Sequence, residues 1–141
     1  MLTLENLDKA VSSVHLPDYN ISDIQPGIVH FGVGNFFRAH EALYIDNILK
    51  AEPTWGIIGV GLTNTEHSRQ KAATFKAQDC LYSLTECAPD GRRSVRVIAA
   101  LRDYLLAAQD PQQVLAHLSN AKTRIVSIFY THLTPPTILP A

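Results

Sequence analysis

The sequence predicts an α/β fold, and three observations carry the prediction. Continuous apolar runs recur at Ile28–Val33, Trp55–Leu62 and Arg124–Phe129. Helical patterns lie between them. A glycine pair, Gly32 and Gly34, stands where the first run gives way to the first helical pattern. Strands that are apolar along their whole length need cover on both faces, as in a parallel sheet between helix layers. The expected architecture is an open, mostly parallel sheet with helices on both faces, of Rossmann-like type.

Residues 1–25 read as an N-terminal arm. Leu4–Val14 is a short amphipathic stretch, followed by LPDYNISDIQP, rich in turn formers. Pro26-Gly27 punctuates the chain before the first strand. Arg38–Lys50 reads as one helix, because Ala39, Ala42, Leu43, Ile45, Ile48 and Leu49 recur at helical steps. Glu52-Pro53 ends it. After the second strand, Thr63-Asn64-Thr65 offers N-cap candidates for a polar helix over Glu66–Ala77. Leu81–Ala88 and Ser94–Ala100 are strand-like and flank Asp90-Gly91, which predicts a hairpin. Asp103–Ala108 and Pro111–Ser119 read as two short helices, the second opened by Asp110-Pro111. The last apolar run, Arg124–Phe129, predicts a further strand.

Composition removes several function classes. Lys+Arg is 12 against Asp+Glu 13, for a net charge of −1, and no basic stripe is visible, so a nucleic-acid partner is not expected. No run of 18 apolar residues occurs, so no membrane span is expected. The opening MLTLENLDKAVSSV has no basic and apolar leader pattern, which points to a cytoplasmic protein. Cys80 and Cys87 form neither a disulfide framework nor a zinc spacing, and they read as buried small hydrophobes. The six histidines are scattered, so no metal site is expected. Neither a G-x-S-x-G elbow nor a P-loop is present.

The chemistry-bearing stretch is Gly32-Val33-Gly34-Asn35-Phe36-Phe37-Arg38-Ala39-His40. A strand, a glycine-rich turn and a helix in that order make the context of a dinucleotide fingerprint. Gly32 permits a tight turn, and Gly34 lets the backbone approach a pyrophosphate. The positive helix end then faces the anion. Phe37 stands where the third glycine of G-x-G-x-x-G would be, so a tight turn that binds nothing is the competing reading. An acid near the end of the second strand would take the adenosine ribose. Glu66 is the candidate, 32 residues after Gly34. An equally good reading makes Glu66 a helix N-terminal charge favoured by the dipole.

These blocks together carry a resemblance. GIVHFGVGNFFRAHEALYIDNIL, then WGIIGVGL, QDCLYSLTE, VIAAL and TRIVSI resemble the amino-terminal domain of the mannitol dehydrogenase family. That family comprises long-chain, metal-independent polyol and hexuronate dehydrogenases. The similarity runs from about Leu4 to Ile128. Its most specific part is the G-x-G-x-F-x-R-A-H string, here Gly32, Gly34, Phe36, Arg38, Ala39 and His40.

The resemblance implies NAD-dependent hydride transfer between a sugar alcohol and its ketose, with mannitol to fructose foremost. The mannitol 2-dehydrogenase branch fits better than the arabinitol dehydrogenase or fructuronate reductase branches. The implied cofactor-binding set is Gly32, Val33, Gly34, Asn35, Phe36, Arg38 and Glu66. A carboxylate at Glu66 would repel a 2′-phosphate, which favours NAD over NADP. Arg38 and His40 either pair with phosphate or help the helix pack on a second domain.

In this family the catalytic lysine, asparagine and histidine lie on one helix of a second, mostly helical domain. No such spacing follows Lys71 or Lys76, so no catalytic residue is assigned. The expected organisation is an arm over 1–25, an incomplete NAD-binding domain over 26–128, and a non-family tail over 129–141, disordered or non-native. The chain then stops before the helical domain, which would supply the polyol site and cover one face, and the isolated chain would be inactive. The rival readings are a standalone nucleotide-binding module and a remnant that folds poorly.

Overall fold

The structure is a computed structural model that describes residues 2–9 and 12–128. The expected tail over 129–141 lies outside the described residues. The elements run β1 (Val14–His15), β2 (Pro26–Phe31), α1 (Asn35–Ala39), α2 (Glu41–Asp46), β3 (Gly56–Gly61), α3 (Glu66–Ala77), β4 (Tyr82–Cys87), β5 (Arg93–Ile98), β6 (Leu101–Leu106), α4 (Pro111–Leu118) and β7 (Ile125–Ile128). A 3-10 segment, Leu4–Lys9, precedes β1.

The main sheet has the order β6-β3-β2-β7, and each of its pairings is parallel. Counted within this sheet alone, the order is third, second, first, fourth, as in the first half of a Rossmann fold. All six residues of β3 are buried. Their alternation feeds two cores. Ile28 and Ile57 face one way and pack with Phe37 of α1, Ala42 of α2 and Phe75 of α3. Val29, Ile58, Val60 and Leu105 face the other way and meet Val114 and Leu118 of α4. Helices therefore cover both faces, and this is why β2 and β3 carry no polar alternation.

Two expectations need correction. Leu101–Leu106 falls largely where the sequence predicts a helix over Asp103–Ala108, and it is the strand β6, paired with β3 from Ile57↔Leu101 to Gly61↔Leu106. Its local pattern mixes charge with leucine, and the sheet edge decides its conformation. The expected single helix over Arg38–Lys50 starts earlier and breaks at His40 (φ −125°, ψ −76°), giving α1 and α2. Residues 1–25, read as an arm, also contribute a strand. This strand, β1, joins β5 in parallel and completes a separate sheet, β1-β5-β4, with the predicted hairpin.

Two buried polar clusters tie these layers together. Asp46, at the end of α2, accepts from the Tyr19 hydroxyl at 2.7 Å and the Ala99 backbone N–H at 2.8 Å, and Arg96 lies 3.7 Å away. Burial pushes the Asp46 carboxyl up, against the pull of those donors. His30 on β2 stacks on Phe37 at 4.0 Å. Its Nδ1 lies 2.9 Å from Ser127 Oγ on β7 and 3.3 Å from Glu41 at the start of α2. Ser127 also donates to Glu41 at 3.0 Å.

Asp46→Ala leaves the Tyr19 hydroxyl and the Ala99 N–H without their acceptor, so it should lower stability by about 1–3 kcal/mol in a denaturant titration. The contact with His30 holds the Glu41 carboxyl below its ordinary range. The stability this adds is present above the ordinary value of 4.5 and lost as pH falls below it. Melting curves should therefore show Glu41→Gln less stable than the parent at pH 7, with the difference closing in acid.

Candidate functional site

The end of β2 sets the site. Gly32 adopts φ +88°, a conformation that side chains rarely tolerate, and its N–H donates to Val60 O of β3 at 2.9 Å. The chain thus turns sharply off the carboxyl end of the parallel sheet, the end at which open α/β sheets hold their ligands. Val33 is buried, and its methyl fills the space a Cβ on Gly59 would need, at 2.6 Å. The loop is clamped to β3 by that packing.

Gly34 is the N-cap of α1, and its carbonyl accepts from the Arg38 N–H at 3.2 Å. A Cβ built at Gly34 would meet only Gly32 O, at 3.8 Å. The missing side chain therefore opens a cradle toward solvent, above the turn that presents the opening N–H groups of α1. That arrangement fits a diphosphate approached by backbone donors.

A cavity of about 270 Å³ adjoins the cradle, lined by Gly32, Val33, Gly34, Thr63, His67 and Lys71 among others. Its far wall is the carboxyl end of β3. There a side chain on Gly61 would collide with the Tyr104 hydroxyl. Thr65 caps α3 by accepting from the Ser68 N–H at 3.2 Å, and Thr63 Oγ1 lies 2.5 Å from Ser68 Oγ. This polar end of β3 is where the ribose of a dinucleotide would rest.

A second cavity, about 510 Å³, lies between α1 and α3 and is lined by Asn35, Arg38, His67, Gln70, Lys71 and Thr74, with Tyr82 behind them. His67 and Lys71 belong to both cavities. Arg38 is half-buried, about 6.0 Å from the rings of Phe75 and Tyr82, and its guanidinium donates to the Asn35 side chain. Lys71 donates to the Val33 carbonyl of the loop. Burial, and secondarily the Arg38 charge, push the Lys71 ammonium below the usual lysine range.

The structure thus gathers Gly32, Val33, Gly34, Asn35 and Arg38 at one end of the sheet. Two sequence-predicted residues point elsewhere. Phe36 is 56% exposed and stacks toward His40 at 4.4 Å, lining neither cavity. Glu66 turns along its own helix, to Arg69 at 2.7 Å and Gln70 at 3.2 Å. Lys71 and His67 join the site without any sequence signal, the contact from Lys71 to the loop spanning 38 residues, and Thr63, expected only as an N-cap candidate, joins them. Burial pushes the Cys80 thiol up to about 12, which makes it inert. Among the described residues no cluster of three or more metal-ligating side chains occurs, and no helix is long and apolar enough to cross a membrane.

Comparison with known proteins follows the same line. The polyol:NADP oxidoreductase of Gluconobacter oxydans is 59% identical over 131 residues, covering 93% of this chain and 27% of its own length. A mannitol 2-dehydrogenase of Pyrenophora tritici-repentis is 39% identical, covering 92% of this chain and 23% of its own length. A D-sorbitol dehydrogenase solved in substrate-free form superposes with a TM-score of 0.87 at 59% identity, over 91% of this chain and 26% of that one. The mannitol 2-dehydrogenase of Pseudomonas fluorescens, solved as a ternary complex with NAD and D-mannitol, gives 0.83 at 36% identity, over 91% of this chain and 26% of that one. The chain spans about a quarter of the length of these relatives. The family model described as the mannitol dehydrogenase Rossmann domain matches residues 26–137, and the chain belongs to that family.

Proposed function

We propose that this chain is the NAD-binding part of a cytoplasmic polyol dehydrogenase, one that moves hydride between NAD and a sugar alcohol, mannitol to fructose first among the candidates. The observation that carries this reading is the open cradle at Gly34, beside the positive-φ turn at Gly32 and at the carboxyl end of the parallel sheet. The similarity to a dehydrogenase held with NAD and D-mannitol supports the cofactor and the substrate class. The free thiols Cys80 and Cys87 support a reducing compartment.

In this reading the nicotinamide cofactor supplies the hydride acceptor, and the residues of the chain bind and orient it. The turn at Gly32 and the opening of α1 take the pyrophosphate. Asn35 borders it, and Arg38 stands one turn further along α1. Thr63 and the start of α3 face the ribose, and Glu66 reaches it only by leaving Arg69. The alcohol proton needs a base, which we assign to the helical domain of the longer relatives. Ile125, Val126 and Ile128 on the edge strand β7 are exposed, which supports further protein covering this side of the sheet. A second reading, with NADP as the cofactor, is favoured by the name of the Gluconobacter oxydans relative.

Calorimetric titration tests the cradle. Gly34→Ala adds a methyl into open space, so the fold should hold to within about 1 kcal/mol, the usual scale of an N-cap change. The same methyl meets the incoming pyrophosphate, and the NAD dissociation constant should rise about tenfold or more, equivalent to about 1.4 kcal/mol. A folded parent that ignores NAD, or a Gly34→Ala variant that binds it as tightly as the parent, would contradict the reading. The 141-residue chain alone should produce no mannitol-dependent NADH.

A further inference from the structure

The larger cavity carries an unbalanced charge. Arg38 and Lys71 both line it, and both are half-buried. Arg38 spends its bonds on the Asn35 side chain and on the Gly34 carbonyl at 3.4 Å. Lys71 spends its bond on the Val33 carbonyl. Among the described residues, neither cation forms a salt bridge, and no carboxylate lines the cavity.

Besides the rings of Phe75 and Tyr82, the other lining groups are neutral polar side chains or an imidazole: Asn35, Gln70, Thr74, Gln78 and His67. The nearest acid on α3, Glu66, is held by Arg69 at 2.7 Å and lines no part of the cavity. Two neighbouring cations partly out of water repel one another and lose hydration, so an arrangement without a counter-ion costs free energy that a bound anion would recover. The lowered proton affinity of Lys71 reflects the same desolvation and repulsion.

Position narrows the anion. His67 and Lys71 also border the smaller cavity, beside the polar end of β3 that would receive an adenosine ribose. A group attached to that ribose could reach Lys71 without leaving the site. We propose that Arg38 and Lys71, with His67 at the entrance, form a binding site for a phosphate monoester, distinct from the pyrophosphate cradle at Gly34. The phosphate arrives either as the 2′-phosphate of a dinucleotide or as a free phosphate. The first source would let the chain take NADP as well as NAD, and the proposal rests to that extent on the dinucleotide reading above.

Thr74 is exposed, sits one turn beyond Lys71 on the cavity wall, and its hydroxyl donates to the Gln70 carbonyl at 2.9 Å. Thr74→Glu therefore places a carboxylate in the cavity without touching the glycine-rich loop. Lys71→Met removes one cation and keeps its apolar stem. The full chain and both variants are titrated by calorimetry with NAD, NADP and inorganic phosphate, and folding is verified by circular dichroism.

If the 2′-phosphate is the source, both variants weaken NADP about tenfold or more, the usual range for losing a charged hydrogen bond. In that case Thr74→Glu changes NAD by less than about twofold, a difference inside the scatter of remote surface changes. If a free phosphate is the source, inorganic phosphate binds the parent, both variants abolish that binding, and NADP shows no advantage. Either result supports the site. Equal weakening of NAD and NADP by both variants assigns the cations to the shared pyrophosphate and overturns the proposal. So does NAD binding accompanied by indifference of NADP and phosphate to both variants. Loss of NAD binding in the folded parent would overturn the dinucleotide reading instead, and the phosphate arm would still judge the cavity.

Discussion

Val33 occupies the space where a side chain on Gly59 would stand, and Tyr104 does the same at Gly61. These close approaches lock the loop after β2, the middle of β3 and the adjacent strand β6 into one block. The bond from the Gly32 N–H to Val60 O completes it. Interiors packed this densely transmit a displacement rather than absorb it. The position of Gly34, and with it the direction of α1, therefore follows from apolar packing beneath the loop. The ligand-facing surface is left without side-chain obstruction because the constraint is met on the buried side.

Electrostatics then divides the surface that this packing creates. The cradle itself offers backbone donors and the helix opening. Beside it, Arg38 and Lys71 add positive charge that no described carboxylate neutralises. Glu66 carries charge of the opposite sign, but its pairing with Arg69 and Gln70 turns it along α3. An exposed pair of this kind is worth under about 1 kcal/mol, so Glu66 can exchange partners when a ribose arrives. The cations are held more firmly, Arg38 between two aromatic rings and Lys71 on the loop carbonyl.

Much of this is legible in the sequence because burial writes itself into composition. Strands β2 and β3 are covered on both faces and read as unbroken apolar runs, so their position and parallel pairing follow directly. The glycine turn is legible for a related reason, since Gly32 at positive φ needs the residue type the sequence displays. Leu101–Leu106 does not read as a strand because Arg102 and Asp103 interrupt its apolar run, and only pairing with β3 makes it one. The break at His40 leaves no pattern, since the apolar spacing continues through it. Lys71 gives no signal because its partner is 38 residues away. Glu66 does stand at the start of a helix, as the spacing predicts, but spacing says nothing about which way a carboxylate turns.

The most direct test of the account is a backbone amide NMR titration of the chain with NAD. The largest shift changes should fall on residues 32–37 and 61–67, the cradle and the polar end of β3, with α4 and the β1-β5-β4 sheet little affected. Saturable shifts confined to α4 or the small sheet, with the glycine-rich loop silent, would contradict it.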